Sequence, residues 1–139
     1  FSVSRGINMD QWITWPGADR WNTQAVLGNF PEWKSHVSDA DLAGLRAAGL
    51  DFVRIPVDPA VFLVGMEEPR KSRLLDQVGE AVGRIRAAGL KVVVDLHTIP
   101  RDGGDGAPGV RRILSDRTLF AAYRRLGKAP FKEALYGTA

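Results

Sequence analysis

Apolar residues recur at helical spacing from Leu42 through Leu45 to Ala48, and Ser38 with Asp41 three positions on stands ahead of them in a capping-box pattern. Gly49 follows the last apolar position, where a helix ends most readily, so the pattern predicts a helix over about 38–48. The spacing then changes to an apolar run from Leu50 to Val57. This is a strand closed by the turn Asp58-Pro59-Ala60, because Pro56 and Pro59 are poor members of a central strand. Leu74, Leu75, Val78, Val82 and Ile85 restore helical spacing over about 73–88, with Gly89 as the stop. Leu90 to His97 is a second strand; its run Val92, Val93, Val94 lacks polar alternation, as expected of a strand covered on both faces. Leu119, Phe120, Tyr123 and Leu126 mark a helix over about 117–126, and the opening FSVSRGIN reads as the first strand.

Strands alternating with helices predict an α/β fold, a parallel sheet joined by crossover helices. The segment RAAGL occurs at 46–50 and again at 86–90; the 40-residue interval is one strand-loop-helix unit and does not require a solenoid. Ligands of parallel α/β folds bind at the carboxyl ends of the strands, which here carry Arg54, Asp95 and His97. The repeat aligns Arg54 with Val94, however, so strand parity read from it does not place the three side chains on one face.

Composition narrows the function classes. The 139 residues are 45% hydrophobic and 25% charged, the balance of one globular domain. The net charge of +3 is scattered, which argues against nucleic acid as a partner. No apolar stretch approaches the roughly 20 residues of a membrane helix, so no membrane partner is expected. The absence of cysteine excludes disulfides and Cys-based zinc sites. The loop RDGGDGAPG, 101–109, lacks the lysine and threonine of a phosphate loop and the spacing of a calcium loop, so neither a metal nor a cofactor is expected. The chain opens on Phe1 with no apolar leader, the pattern of a processed or excised piece.

RGIN followed by Trp12, AGLDFVRIPV, LLDQVGEAVGRIRAAGLKVVVDLHTIPR and GGDGAPG, in this order, resemble the amino-terminal part of glycoside hydrolase family 5, the cellulase family of (β/α)8 barrels. The resemblance covers about residues 1–126. It implies about three βα units of a partial TIM barrel, and an extracellular or secreted retaining hydrolase of cellulose, other β-glucans or mannan, cellulase- or endoglucanase-like. The partner it implies is a β-linked polysaccharide or oligosaccharide. Arg54 then supports the nucleophile carboxylate, His97 binds sugar hydroxyls and Asn8 borders the site. Trp15, one of four tryptophans in the first quarter of the chain with Trp12, Trp21 and Trp33, offers an aromatic face for a sugar ring. Beside these stand plainer readings: Arg54 in a strand-end ion pair with Asp95, His97 as a hydrogen-bonded structural residue, and the tryptophans as cover for the barrel, Trp12 first among them.

A complete barrel needs about 250 residues. The resemblance places the acid/base glutamate after an asparagine at the fourth strand and the nucleophile at the seventh, and neither strand is recognisable. None of Glu32, Glu67, Glu68, Glu80 and Glu133 ends an apolar strand, so no catalytic residue is assigned in this chain. The expectation is a fragment inactive by itself, with Arg54 an unpaired charge. Its rivals are a carbohydrate-binding or pseudoenzyme module, and a self-assembling barrel enzyme using Asp58 or Asp95. Residues 127–139, GKAPFKEALYGTA, read as an atypical tail, a truncated or altered end. Three strands alone leave open sheet edges, which implies self-association.

Overall fold

The Ser38 hydroxyl accepts a hydrogen bond from the Asp41 amide at 3.1 Å, and the Asp41 carboxylate accepts one from the Ser38 amide at 2.8 Å. This reciprocal pair starts a helix where the sequence places it. The computed structural model describes residues 2–10, 12–13, 15–28, 36–64, 66–97 and 107–127. Its strands are β1 (Gly6–Asn8), β2 (Phe52–Val57) and β3 (Lys91–Leu96). Its helices are α1 (Ala25–Gly28), α2 (Asp39–Ala47), α3 (Ala60–Leu63), α4 (Arg70–Ala87), α5 (Val110–Ser115) and α6 (Arg117–Leu126), with a 3-10 turn at Ala18–Arg20. The predicted α/β order is therefore present, and the short α1, α3 and α5 are additions. Four to six residues are too few to show a helical period. The 128–139 tail and most of the glycine-rich loop, 101–106, lie outside the described residues.

The repeated RAAGL has a structural cause. Gly49 and Gly89 take φ of +86° and +77°, values that strain any side-chain-bearing residue. Each glycine reverses its helix in the same way: the Leu50 amide donates to the Leu45 carbonyl and Gly49 to Arg46, while Leu90 donates to Ile85 and Gly89 to Arg86. This is the paired 6→1 and 5→2 closure of a helix C-terminus, and it leads the chain directly into a strand. α4 begins at Arg70, three residues before the predicted start, because the Glu68 carboxylate accepts from the Ser72 amide and hydroxyl and so completes an earlier first turn.

The sheet order is β1-β2-β3, all parallel. Val53, Ile55 and Val57 on one face of β2 are fully buried and share a core with Leu42 of α2 and with Leu74, Val78, Ala81, Val82 and Ile85 of α4. Full burial of an aliphatic side chain contributes about 1.5–3 kcal/mol, which makes the central strand the anchor of the fold. Trp12, buried completely, joins this core under the Arg84 guanidinium, 5.6 Å from the ring centre. Arg84 in turn bonds Asp39 Oδ1 at 2.8 Å and the Val37 carbonyl at 2.5 Å, tying α4 to the start of α2.

Two strand expectations need correction. Pro56 lies inside central β2, where the sequence argues against proline. The Arg54 carbonyl bonds the Met9 amide on the β1 side and the Val57 carbonyl bonds the His97 amide on the β3 side. By alternation, the amide that Pro56 lacks would face the β1 side beyond the last ladder pair, Asn8 with Arg54, so among the described residues no ladder pair is interrupted. β3 is not covered on both faces: all six of its residues are half-buried. Among the described residues it is an edge strand, whereas β2 is flanked by a strand on each side.

At the amino ends of the strands, Asp51 gathers the sheet. Its carboxylate accepts from the Ser4 and Arg5 amides at 2.8–3.1 Å, its carbonyl accepts from the Lys91 amide at 2.9 Å, and its amide donates to the Arg5 carbonyl at 2.8 Å. The Arg5 hydrogen bond, ahead of that from Ser4 and the Lys91 charge, holds the Asp51 carboxyl below its ordinary value. Gly6 leaves room for its neighbour: a Cβ at this position would lie 2.3 Å from the Phe52 ring, which would have to shift. Among the described residues no helix is long and apolar enough to cross a membrane.

Candidate functional site

The repeat misplaces the strand register by one residue. Hydrogen bonding pairs Arg54 with Val93, Pro56 with Asp95 and Asn8 with Arg54. A shift of one residue exchanges the faces of a strand. Asn8, Arg54 and Asp95 consequently share the face opposite the core. His97, two residues past Asp95 and still bonded through its amide to the Val57 carbonyl at 3.0 Å, continues that face. Sequence repetition follows the helix-to-strand turns; the sheet sets its own stagger. The three polar positions that parity appeared to separate therefore converge.

They form a continuous polar chain in which Arg54, in the middle of β2, reaches from Asn8 at the end of β1 to Asp95 near the end of β3. Asn8 Nδ2 donates to Asp10 Oδ1 at 2.6 Å, and Asn8 Oδ1 accepts from Arg54 Nη1. Arg54 Nη2 donates to Asp95 Oδ2, and His97 Nδ1 lies 3.0 Å from that same oxygen. The Arg54 and Asp95 side chains are 35% and 34% exposed, and His97 is 57% exposed. The strand-end ion pair is thus realised, and Arg54 is neither buried nor unpaired. A guanidinium fixed from two sides holds a planar array of donors in place, and the more exposed imidazole lies beside it. Such a face can bind neutral hydroxyl-rich ligands or a carboxylate.

Trp15 is half-buried at the same end of the sheet. Its indole N–H donates to the Asp58 carbonyl at 3.0 Å and its ring meets Phe62 edge-on, with centroids 5.8 Å apart. Its described contacts are therefore with the β2–α3 turn and not with the Asn8–His97 chain. Trp12 and Trp21 are core residues, the latter with its N–H on the Pro16 carbonyl at 2.8 Å; Trp33 lies outside the described residues. Asp58 is 6% exposed and its Oδ1 accepts from the Ala60 amide at 3.0 Å, which fixes the turn into α3. Asp10 is the site member that sequence reasoning missed. The signal for it is an Asn-x-Asp spacing just after the first strand.

Of the described glutamates, Glu67 lies 3.7 Å from Arg70, Glu68 holds Ser72, and Glu80 is inside α4; none stands in the polar chain. Glu32 and Glu133 lie outside the described residues. Among the described residues no group of three His, Cys, Asp or Glu is arranged to hold a metal ion.

A parallel α/β sheet with a polar face at its carboxyl ends is the class of structure this chain defines. No protein-family model matches the chain. Its sequence is similar to a probable glucan 1,3-beta-glucosidase A of Aspergillus niger, with 33% identity over 70% of this chain and 29% of that protein. The probable glucan 1,3-beta-glucosidase A of Neosartorya fischeri is 28% identical over the same shares. The probable glucan 1,3-beta-glucosidase of Arthroderma benhamiae is 30% identical over 69% of this chain and 28% of its own length. The chain thus spans less than a third of the length of these relatives, each named a probable glucan 1,3-beta-glucosidase.

Proposed function

We propose that this chain is the first part of a (β/α)8 barrel of the glycoside hydrolase family 5 type, directed at β-1,3-glucan, and that it supplies sugar-binding groups but not the catalytic pair. The observation that carries the reading is the convergence of Asn8, Arg54, Asp95 and His97 on one sheet face toward the carboxyl ends of three parallel strands, the end at which α/β barrels hold their ligands. The names of the relatives favour a 1,3-linked glucan over the cellulose or mannan that the motifs alone suggest. Arg54 and Asn8 form the floor of the sugar site, His97 receives a sugar hydroxyl, and Trp15 stands at the rim. The resemblance to the cellulase family makes an extracellular or secreted protein part of this reading.

Retaining hydrolysis needs two carboxyl groups about 5–5.5 Å apart across the bond. In the described residues Asp95 is committed to Arg54 and His97, and Asp58 to the Ala60 amide. This disfavours a barrel enzyme running on aspartates and leaves sugar binding without hydrolysis as the activity of the chain alone. A reducing-sugar assay on soluble β-1,3-glucan tests the reading, with no release expected. Turnover abolished by Asp95→Asn or Asp58→Asn would replace it with the aspartate enzyme.

A further inference from the structure

We propose that Asp95 is a positioning residue that fixes the tautomer of His97, holding the proton on Nδ1 and leaving Nε2 as an acceptor for a ligand hydroxyl. Asp95 Oδ2 receives Arg54 Nη2 and stands 3.0 Å from His97 Nδ1. A guanidinium has only donors, so the carboxylate it binds is held as an acceptor. A neutral imidazole that turned a lone pair toward that oxygen would set two acceptors against each other at hydrogen-bond distance. Protonation at Nδ1 removes the conflict and makes the contact a charge-assisted bond. Asp95 and His97 are two residues apart on an extended backbone, which brings their side chains to one side of the strand. The His97 amide bond to Val57 continues the ladder and limits how far the ring can drift.

The ring is 57% exposed, and among the described residues Nε2 has no hydrogen-bond partner. Nε2 is then the group offered to the open face, and it selects ligands that donate an O–H or N–H. A sugar hydroxyl fits; that identification of the ligand rests on the hydrolase reading, whereas the tautomer does not. The Asp95 carboxylate therefore fixes the ring by itself, and Arg54 holds that carboxylate in place.

Long-range 1H–15N correlation spectra of the 15N-labelled chain without ligand, recorded on the neutral ring, decide the matter. The chain has two histidines, and His97→Gln separates His97 from His36. The expected result is a pyrrole-type Nδ1 and a pyridine-type Nε2 at His97. In Asp95→Ala the Nδ1–H to Nε2–H ratio should fall by about tenfold or more, the scale of a lost hydrogen bond to a charged group. Arg54→Met, which keeps the carboxylate, should leave Nδ1–H predominant. A predominantly Nε2-protonated wild-type ring overturns the proposal, as does an unchanged ratio in a folded Asp95→Ala chain. Should that variant not fold, the wild-type spectrum decides alone. Because no glucan is present, failure of the hydrolase reading leaves this result standing.

Discussion

Replacing Arg54 with methionine keeps most of the apolar stem of the side chain but removes the guanidinium that donates to Asn8 Oδ1 and Asp95 Oδ2. A hydrogen bond to a charged group contributes about 1.5–3 kcal/mol when shielded from water, whereas an exposed ion pair contributes about 0–1 kcal/mol. With Arg54 35% and Asp95 34% exposed, the pair stands between these limits. Water can also re-solvate the carboxylate that remains. Arg54→Met should therefore destabilise the chain by about 1–2 kcal/mol, well short of the 3–5 kcal/mol for breaking a fully buried pair. Urea denaturation followed by circular dichroism gives the difference from the midpoint at constant m. A double-mutant cycle with Asp95→Ala should assign about 0.5–1.5 kcal/mol to the coupling, the lower part of the range for residues in one network, as suits a half-exposed pair. Equal or greater stability in Arg54→Met would mean that the guanidinium is not engaged by Asp95. A loss above about 3 kcal/mol would mean that the pair is sealed from water.

Gly6→Ala should destabilise by about 1–3 kcal/mol through overpacking, since its Cβ meets the Phe52 ring at 2.3 Å; Phe52→Leu in the same chain should recover part of that loss in urea melts. Asp51 and Asp41 have folded values below their ordinary 3.8, Asp51 chiefly through the Arg5 amide and Asp41 chiefly through the Ser38 side chain. Their contribution is present above that value and is lost as pH falls through the folded values, so the urea midpoint should drop below about pH 4, less steeply in Asp51→Asn. Leu114, 61% exposed, with Ile7 and the half-buried β3 edge should make the chain associate, seen as a concentration-dependent mass in light scattering after size exclusion. A strict monomer at all concentrations would contradict the open-edge account.

The start of α2 and the stops of α2 and α4 were legible because each rests on chemistry local to a few residues, whereas the start of α4 depends on Glu68 reaching Ser72. Ser38 with Asp41 and the glycines at 49 and 89 carry their own hydrogen-bond logic, and the structure honours all three. The sheet was legible in order but not in stagger. The RAAGL echo marks where helices turn into strands, while the pairing of Arg54 with Val93 depends on how whole strands lie against each other. That single residue of stagger decides whether Arg54, Asp95 and His97 meet. Pro56 was misjudged for a related reason: a proline is tolerated where a neighbouring strand has ended, and strand ends are set by three-dimensional partners. Trp15 has two readings in the sequence, a sugar platform and a cover for the barrel, and its contacts with Asp58 and Phe62 involve both its N–H and its ring.

The central claim is that the Asn8–Arg54–Asp95–His97 face binds β-1,3-glucan. Titrating the 15N-labelled chain with a β-1,3-linked glucose oligosaccharide, and following backbone and side-chain resonances, tests it most directly. The account predicts saturable shifts at Asn8, Arg54 and His97, absent in His97→Gln and weaker with a β-1,4-linked oligomer, while resonances of the Asp51 cluster at the opposite end of the strands stay unmoved. Shifts confined to other surfaces, or none at millimolar oligosaccharide, would contradict it.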